Sequence, residues 1–195
     1  MLYYIGFVLY CVSVGVKKLV RSYRSSYFFS RMGQVGRGCR LGYDVNITGL
    51  ECIYLGNNVH INDGARIAGE GGLFVGDNVH VARNCTIYTH NHNYEGACLP
   101  YDDTHIYKPV RIEKNVWIGV NVTIVPGTII GEGAIIGAGT VVYGNVPAFS
   151  IVGSAPWRIL KKRNIEHYHN LDKAKRYGGI NGRPLRLDSS GEDIV

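Results

Sequence analysis

The five cysteines, Cys11, Cys39, Cys52, Cys85 and Cys98, contain no CxxC pair. An odd, scattered set supplies neither a disulfide framework nor the close ligand pairs of a zinc site, so reduced thiols in a cytoplasmic protein are expected. No charged region precedes the apolar opening stretch MLYYIGFVLYCVSVGV and no small-residue cleavage site follows it, which argues against a secretory signal. That stretch is 16 residues long, short of the roughly 20 that cross hydrocarbon as a helix. There is also no aromatic-basic recognition motif, so the formal charge of +6 does not point to nucleic acid. A basic surface equally suits anionic lipid or a phosphorylated cofactor.

Glycine, by contrast, is plentiful at 26 of 195 residues, about twice the usual share and without a collagen period. That suits tight corners, where positive φ is often required. The stretch that organises the chain is VRIEKNVWIGVNVTIVPGTIIGEGAIIGAGTVV, residues 110–142. An aliphatic residue recurs every six positions, at Ile112, Ile118, Ile124, Ile130, Ile136 and Val142. A second small or branched residue sits four places on, at Val116, Val122, Thr128, Ala134, Thr140 and Val146. Neither an α-helix nor an ordinary strand has that period. It fits a parallel β-helix, in which three short faces of about six residues close one coil and the aliphatic residue points inward.

The same period begins at Val35, with corners at Val35, Leu41 and Ile47, then Leu55, Ile61 and Ile67, then Val75, Val81 and Ile87. A two-residue slip after each set makes the first three coils 20 residues long, and two coils of 18 follow from Ile112. The expected fold is all-β, a parallel β-helix of about five coils, with Ile151 beginning a partial last face. Superposing VGRGCR, LGNNVH, VGDNVH and IEKNVW stacks Arg40, His60, His80 and Trp117 in one outward column, which makes His60 and His80 exposed surface residues.

Three segments result: 1–30, apolar then basic; 31–157, the β-helix with a loop over 88–109; and 158–195, a basic C-terminal helix and tail. Lys17, Lys18, Arg21 and Arg24 follow the uncharged opening stretch, and Tyr3, Tyr4 and Tyr10 suit an interface. A helix lying on the inner face of the cytoplasmic membrane is the preferred reading; a hydrophobic helix packed on the domain or on another subunit is the alternative. Residues 164–177 suit a short helix, and the tail from Gly178 reads as irregular. The loop, YTHNHNYEGACLPYDDTHIYKP, interrupts a regular scaffold, where function tends to be placed, and it holds His90, His92 and His105.

The segments NCTIYTHNHNY, KPVRIEKNVWIGVNVTIVPG, IGAGTVV and VPAFSIVGSAPWRIL resemble the hexapeptide-repeat acyltransferases. Within them the chain is similar to the maltose, galactoside and streptogramin O-acetyltransferases and to those of bacterial surface-polysaccharide pathways. The resemblance covers about residues 35–163. It implies a left-handed β-helix, a homotrimer with active sites in the clefts between subunits, acetyl-CoA as co-substrate and no required metal. It also implies a loop histidine as general base, which falls on His92, with His90 as fallback. Asn62 matches an acceptor-holding Asn, though a corner Asn with a purely structural role is the alternative. Trp117 matches a residue lining the cleft, and Ala138 and Gly139 match the narrow surface along which pantetheine lies. Where the family often has Thr-Lys, this chain has Tyr143 and Gly144, which leaves Lys161, Lys162 and Arg163 to meet the CoA phosphates, against a merely solvated basic face. A carboxylate three residues before the family's Lys-Pro pair is replaced by His105, so acceptor recognition should differ from that of the maltose enzymes.

A sugar hydroxyl is a weak nucleophile, and an imidazole, with a pKa of about 6.5, suits removal of its proton near neutral pH. No Ser or Cys nucleophile with a paired base is evident, so direct transfer in a ternary complex is expected. The function expected is O-acetylation of a sugar in a bacterial surface glycan or its lipid-linked precursor. Alternatives are acetylation of a small soluble acceptor, a free sugar or antibiotic, and a non-catalytic structural trimer. A γ-type carbonic anhydrase on the same scaffold would need a zinc-ligand spacing that the histidines lack.

Overall fold

The computed structural model describes residues 2–93, 103–153, 158–162 and 164–176. It is a parallel β-helix, as the six-residue period requires. The first face stacks Gln34–Val35, Ile53–Leu55, Leu73–Val75, Val110–Ile112, Ile129–Ile130 and Asn145–Val146. The second stacks Arg40–Leu41, His60–Ile61, His80–Val81, Trp117–Ile118, Ile135–Ile136 and Ser150–Gly153. The third stacks Asn46–Thr48, Arg66–Ala68, Thr86–Tyr88, Thr123–Ile124 and Val141–Val142. Five full coils and two faces of a sixth result. The partial sixth is closed by Arg158–Lys162, which runs antiparallel to Ser150–Gly153.

From Leu41 to Val146 the repeat residues take their inward places, and Val35 in the first coil is half-buried. Ile53, Leu73, Ile118, Ile124 and Ile130 are wholly buried, and the column continues through Ile61, Ile67, Ile87, Ile112 and Ile136. Thr128 and Thr140 also point inward, with their hydroxyls donated to the carbonyls of Val125 and Gly137, each at 2.7 Å. A buried hydroxyl is tolerated because it is bonded.

The corners explain the abundance of Gly and Asn. At the corner between the first and second faces, Gly38, Asn58, Asn78, Asn115, Gly133 and Phe149 all have φ between 55° and 71°. At the next corner Asp44, Gly64, Asn84, Asn121 and Gly139 have φ between 54° and 72°. One left-handed residue per corner turns the chain, and Gly, Asn and Asp are the types that adopt it at least cost. The asparagines of the first corner also form a ladder. Asn58 Nδ2 donates to Asn78 Oδ1 at 3.0 Å, and Asn78 Nδ2 donates to Asn115 Oδ1 at 3.0 Å. Asn115 Nδ2 then donates to the Tyr168 hydroxyl at 2.6 Å.

Tyr168 belongs to helix α2, Ile165–Lys173, capped by the Asn164 side chain accepting from His167 N–H. Its ring is buried against Phe149, its hydroxyl donates to Glu132, and Lys114 bridges Asp172 at 3.0 Å and Glu132 at 3.6 Å. Helix α1, Leu2–Arg31, begins the chain and seals the other end. Phe28, Phe29 and Met32 pack on the core, and Arg24 donates to the carbonyl of Val45 at 2.5 Å. Tyr10, Val12, Val16, Leu19, Val20 and Tyr23 are exposed along it. No helix among the described residues is long and apolar enough to cross a membrane.

The outward column is present, with Arg40, His60, His80 and Trp117 paired in register. His60, however, is buried, at 7% exposure, where an exposed residue was expected. The reason is stacking: its ring lies 4.4 Å from that of His80, at 16°, and Arg40 flanks the other side. Burial first, and then His80 and Arg40, pull its pKa down to about 4.

Two measurements follow from this construction. Asn78→Gly keeps the left-handed corner but cuts the ladder, whereas Asn78→Ala does both kinds of damage; chemical unfolding should place the Ala variant about 1 kcal/mol below the Gly variant. His60 takes its proton below about 6.5 in the unfolded chain but only near 4 when folded, so its contribution is complete above pH 6.5 and lost as pH falls toward 4. Unfolding midpoints across that window should fall less steeply in His60→Gln than in the wild type.

Candidate active site

The histidine loop is rooted in the third coil. Strand Thr86–Tyr88 ends at Thr89, whose buried hydroxyl donates to the Ala68 carbonyl at 2.7 Å and accepts from Gly71 N–H at 2.7 Å. A Cβ at Gly71 would sit 1.9 Å from the Thr89 carbonyl oxygen, so that approach needs glycine. The same Thr89 oxygen accepts from Lys108 N–H at 2.8 Å, and Val110 resumes the first face beside Leu73. The insertion thus leaves and re-enters the scaffold at adjacent points, and the coils above it keep their register.

Between those points His90–His92 pairs antiparallel with His105–Tyr107. The register sets His90 opposite Tyr107 and His92 opposite His105. Residues two apart on a strand share a side, so His90, His92, His105 and Tyr107 all lie on one side of this ribbon. The ring centroids of His92 and His105 are 4.9 Å apart, those of His90 and His105 5.0 Å, and those of His90 and Tyr107 5.7 Å. His92 and His105 are exposed, whereas the His90 side chain is 19% exposed and its Nδ1 faces Glu70 Oε2 at 3.4 Å. The ribbon closes with Asn93 N–H donating to the Thr104 carbonyl at 3.1 Å. Residues 94–102 of the expected loop lie outside the described residues.

The structure therefore brings together three of the predicted residues, at the edge between the third and first faces. The others are elsewhere. Asn62 follows His60–Ile61 at the edge between the second and third faces, with Nδ2 donating to the Val81 carbonyl at 2.9 Å. Ala138 and Gly139 lie exposed at that same edge, three coils on. Gly139 has φ of 69°, and a Cβ there would meet nothing within 4 Å, so the surface over it is open. Trp117 is exposed on the second face, and Lys162 is exposed on the strand that extends it. Lys161 is described only by its place in that strand, and Arg163 lies outside the described residues. A six-residue face at about 3.3 Å per residue puts up to roughly 20 Å between two edges. One chain holds the histidines and the Ala138–Gly139 surface apart.

Two residues that position the ribbon were missed in the sequence, Thr89 and Glu70. The signal was available: the first coils step by 20, which lays Glu70 beneath His90. Among the described residues, no group of three His, Cys, Asp or Glu side chains is arranged to hold a metal ion.

A parallel β-helix with a histidine ribbon inserted after its third coil defines a class of transferase scaffold. The family model for the bacterial transferase hexapeptide, six repeats, matches residues 109–144. A maltose O-acetyltransferase from Clostridium difficile 630 is similar, at 30% identity and a TM-score of 0.65, over 72% of this chain and 75% of that one. A hexapeptide-repeat acetyltransferase from Vibrio cholerae O1 biovar eltor, solved with acetyl-CoA, has 27% identity and a TM-score of 0.67 over 73% and 78% of the two chains. A galactoside acetyltransferase in complex with coenzyme A has 27% identity and a TM-score of 0.66 over 85% and 78%. No curated protein sequence matches the chain. The chain belongs to the hexapeptide-repeat acetyltransferases, a family of acetyl-CoA-dependent enzymes.

Proposed function

We propose that the protein transfers the acetyl group of acetyl-CoA to a sugar hydroxyl of a bacterial surface glycan or its lipid-linked precursor, with His92 as general base. The observation that carries this reading is the ribbon itself. It sets an exposed imidazole, His92, at the edge of a scaffold whose relatives bind acetyl-CoA or coenzyme A.

Acetyl-CoA lies along Ala138 and Gly139, where the backbone is bare, and the basic run Lys161, Lys162 and Arg163 supplies the charge to meet its phosphates. That surface and the ribbon occupy different edges, so a working site needs the ribbon of one copy against the open edge of another. Three copies around an axis supply three such sites, which supports a homotrimer. Trp117 and Asn62 then line the cleft from the copy that holds the cofactor, and His90 and His105 line it from the other. His105 sets a cationic or neutral ring where sugar acetyltransferases carry a carboxylate, and this alters acceptor choice.

The step balances without an acyl-enzyme. The acceptor oxygen attacks the thioester carbonyl as His92 takes the hydroxyl proton. The tetrahedral intermediate then collapses, the C–S bond breaks, and the imidazolium returns the proton to the departing CoA thiolate. The products are an O-acetyl sugar and free CoA. Holding both substrates in line supplies much of the rate.

The glycan assignment and a location at the inner face of the cytoplasmic membrane are supported by helix α1. Before Asp44 the chain has seven Lys and Arg and no Asp or Glu; after Tyr43 it has fourteen against fifteen. Five of those seven, Lys17, Lys18, Arg21, Arg24 and Arg31, lie on helix α1, which also carries exposed apolar side chains. Its 15 uncharged helical residues, Leu2–Val16, measure about 22 Å at 1.5 Å per residue, short of the roughly 30 Å hydrocarbon core. A monotopic anchor, followed by the basic run Lys17, Lys18 and Arg21 that suits anionic headgroups, accounts for both features.

Thiol release from acetyl-CoA against free sugars, nucleotide sugars, antibiotics and lipid-linked glycans should be stimulated by a glycan-type acceptor, and His92→Ala should lose about a hundredfold or more of it. Stimulation by a soluble sugar or an antibiotic alone would move the acceptor to that class. Full activity in His92→Ala would remove the base assignment. Sedimentation with vesicles should retain the full chain on phosphatidylglycerol-rich membranes far more than on neutral ones, and deletion of residues 2–16 should abolish that retention.

A further inference from the structure

The ribbon carries three imidazoles and, beside them, one carboxylate that the reaction above does not use. Glu70 lies at the corner after strand Arg66–Ala68, one coil beneath the ribbon. Its Oε2 faces His90 Nδ1 at 3.4 Å, both atoms are shut off from water, and neither has a hydrogen-bond partner elsewhere among the described residues. A carboxylate oxygen and a ring nitrogen buried together are costly to leave unpaired. One arrangement satisfies both: Nδ1 carries the hydrogen and donates to Oε2, which fixes the tautomer and the plane of the ring. The His90 ring packs edge-on against His105, and His105 packs against His92. A fixed corner of the coil is thereby linked, ring by ring, to the base.

His90 is faced by Glu70 from the coil, by His105 and Tyr107 from the opposite strand, and shares its side of the strand with His92. Of these groups only Glu70 is a carboxylate.

Resting on the assignment of His92 as base, we propose that Glu70 is the positioning carboxylate of the histidine ribbon. It holds His90 through Nδ1, and with it the packing of His105 and His92. A base held in one direction meets the acceptor's proton in line, so freeing the His90 ring lowers the plateau of kcat through the packing of His105 and His92.

Glu70→Ala frees the His90 ring. With the acceptor that the thiol-release assay finds, it should lower the plateau kcat about five- to tenfold, with KM for acetyl-CoA within about twofold of wild type, and imidazole nitrogen NMR should show His90 losing its Nδ1–H tautomer. Glu70→Gln is close to isosteric and keeps an oxygen for the Nδ1 hydrogen, so it should restore the tautomer and a kcat within about twofold of wild type. A wild-type kcat or an unchanged His90 tautomer in Glu70→Ala would overturn the proposal, as would a Glu70→Gln variant no better than Glu70→Ala. His92→Ala measured alongside separates the two ideas: if it stays active while Glu70→Ala still loses activity and the tautomer, the carboxylate's role stands and only the identity of the base changes.

Discussion

The constraint on which everything else depends is that each coil must lie in register on the one below. A single coil cannot bury its aliphatic residues alone; it does so only between neighbours. Every inward Ile or Val therefore has to recur at the same angular place, and every corner has to turn by the same amount. The left-handed residue at each corner is how the backbone meets that demand. Where that residue is Asn, its amide can also bond the Asn one coil up, so a conformational requirement becomes a stabilising column from Asn58 to Asn115. The column ends on Tyr168, which lets the same ladder fasten α2 to the finished end of the scaffold.

Register also governs where an insertion can be placed. A loop that displaced the next coil would expose the column above it. This one does not, because Thr89 and Lys108 meet across one hydrogen bond and the first face resumes beside Leu73. The ribbon can vary in sequence without cost to the core, while its root is held by a buried hydroxyl with two bonds. The histidines are thus carried by a segment whose root is held firmly to the coil. The flat edge at Ala138 and Gly139 offers the opposite quality, a surface with no side chain in the way.

Much of this was legible from the period alone. Six-residue spacing placed the inward residues, the 20- and 18-residue steps aligned coil on coil, and the break at residue 88 marked the ribbon. The expected β-helix, its apolar N-terminal helix and its short C-terminal helix are all present. What the period did not carry were contacts set by ring chemistry or by distant chain. The burial of His60 depends on a face-to-face stack with His80, which a pattern of inward and outward positions treats as two exposed residues. The clamp on α2 joins Tyr168 to Asn115 and Glu132, 53 and 36 residues away, through hydrogen bonds with no repeat signature. The number of coils was read correctly, but the last step is shorter, 16 residues from Ile130 to Val146, because Val146 takes the corner place on the first face.

Two histidines two residues apart, on one side of one strand, look redundant in a sequence. Their surroundings make them unlike. His90 is mostly covered, its Nδ1 turned to Glu70 and its ring edge against His105, so it cannot swing toward a bulky acceptor without leaving a buried carboxylate oxygen unpaired. His92 is exposed, and its ring packs on His105. A general base needs both qualities at once, access to the acceptor and a fixed direction. A single side chain on a ribbon that stands out from its scaffold can hardly supply both. On the proposed reading, dividing them between neighbours, with the inner imidazole tied to the coil and the outer one exposed, resolves that conflict by the period-two geometry of a strand.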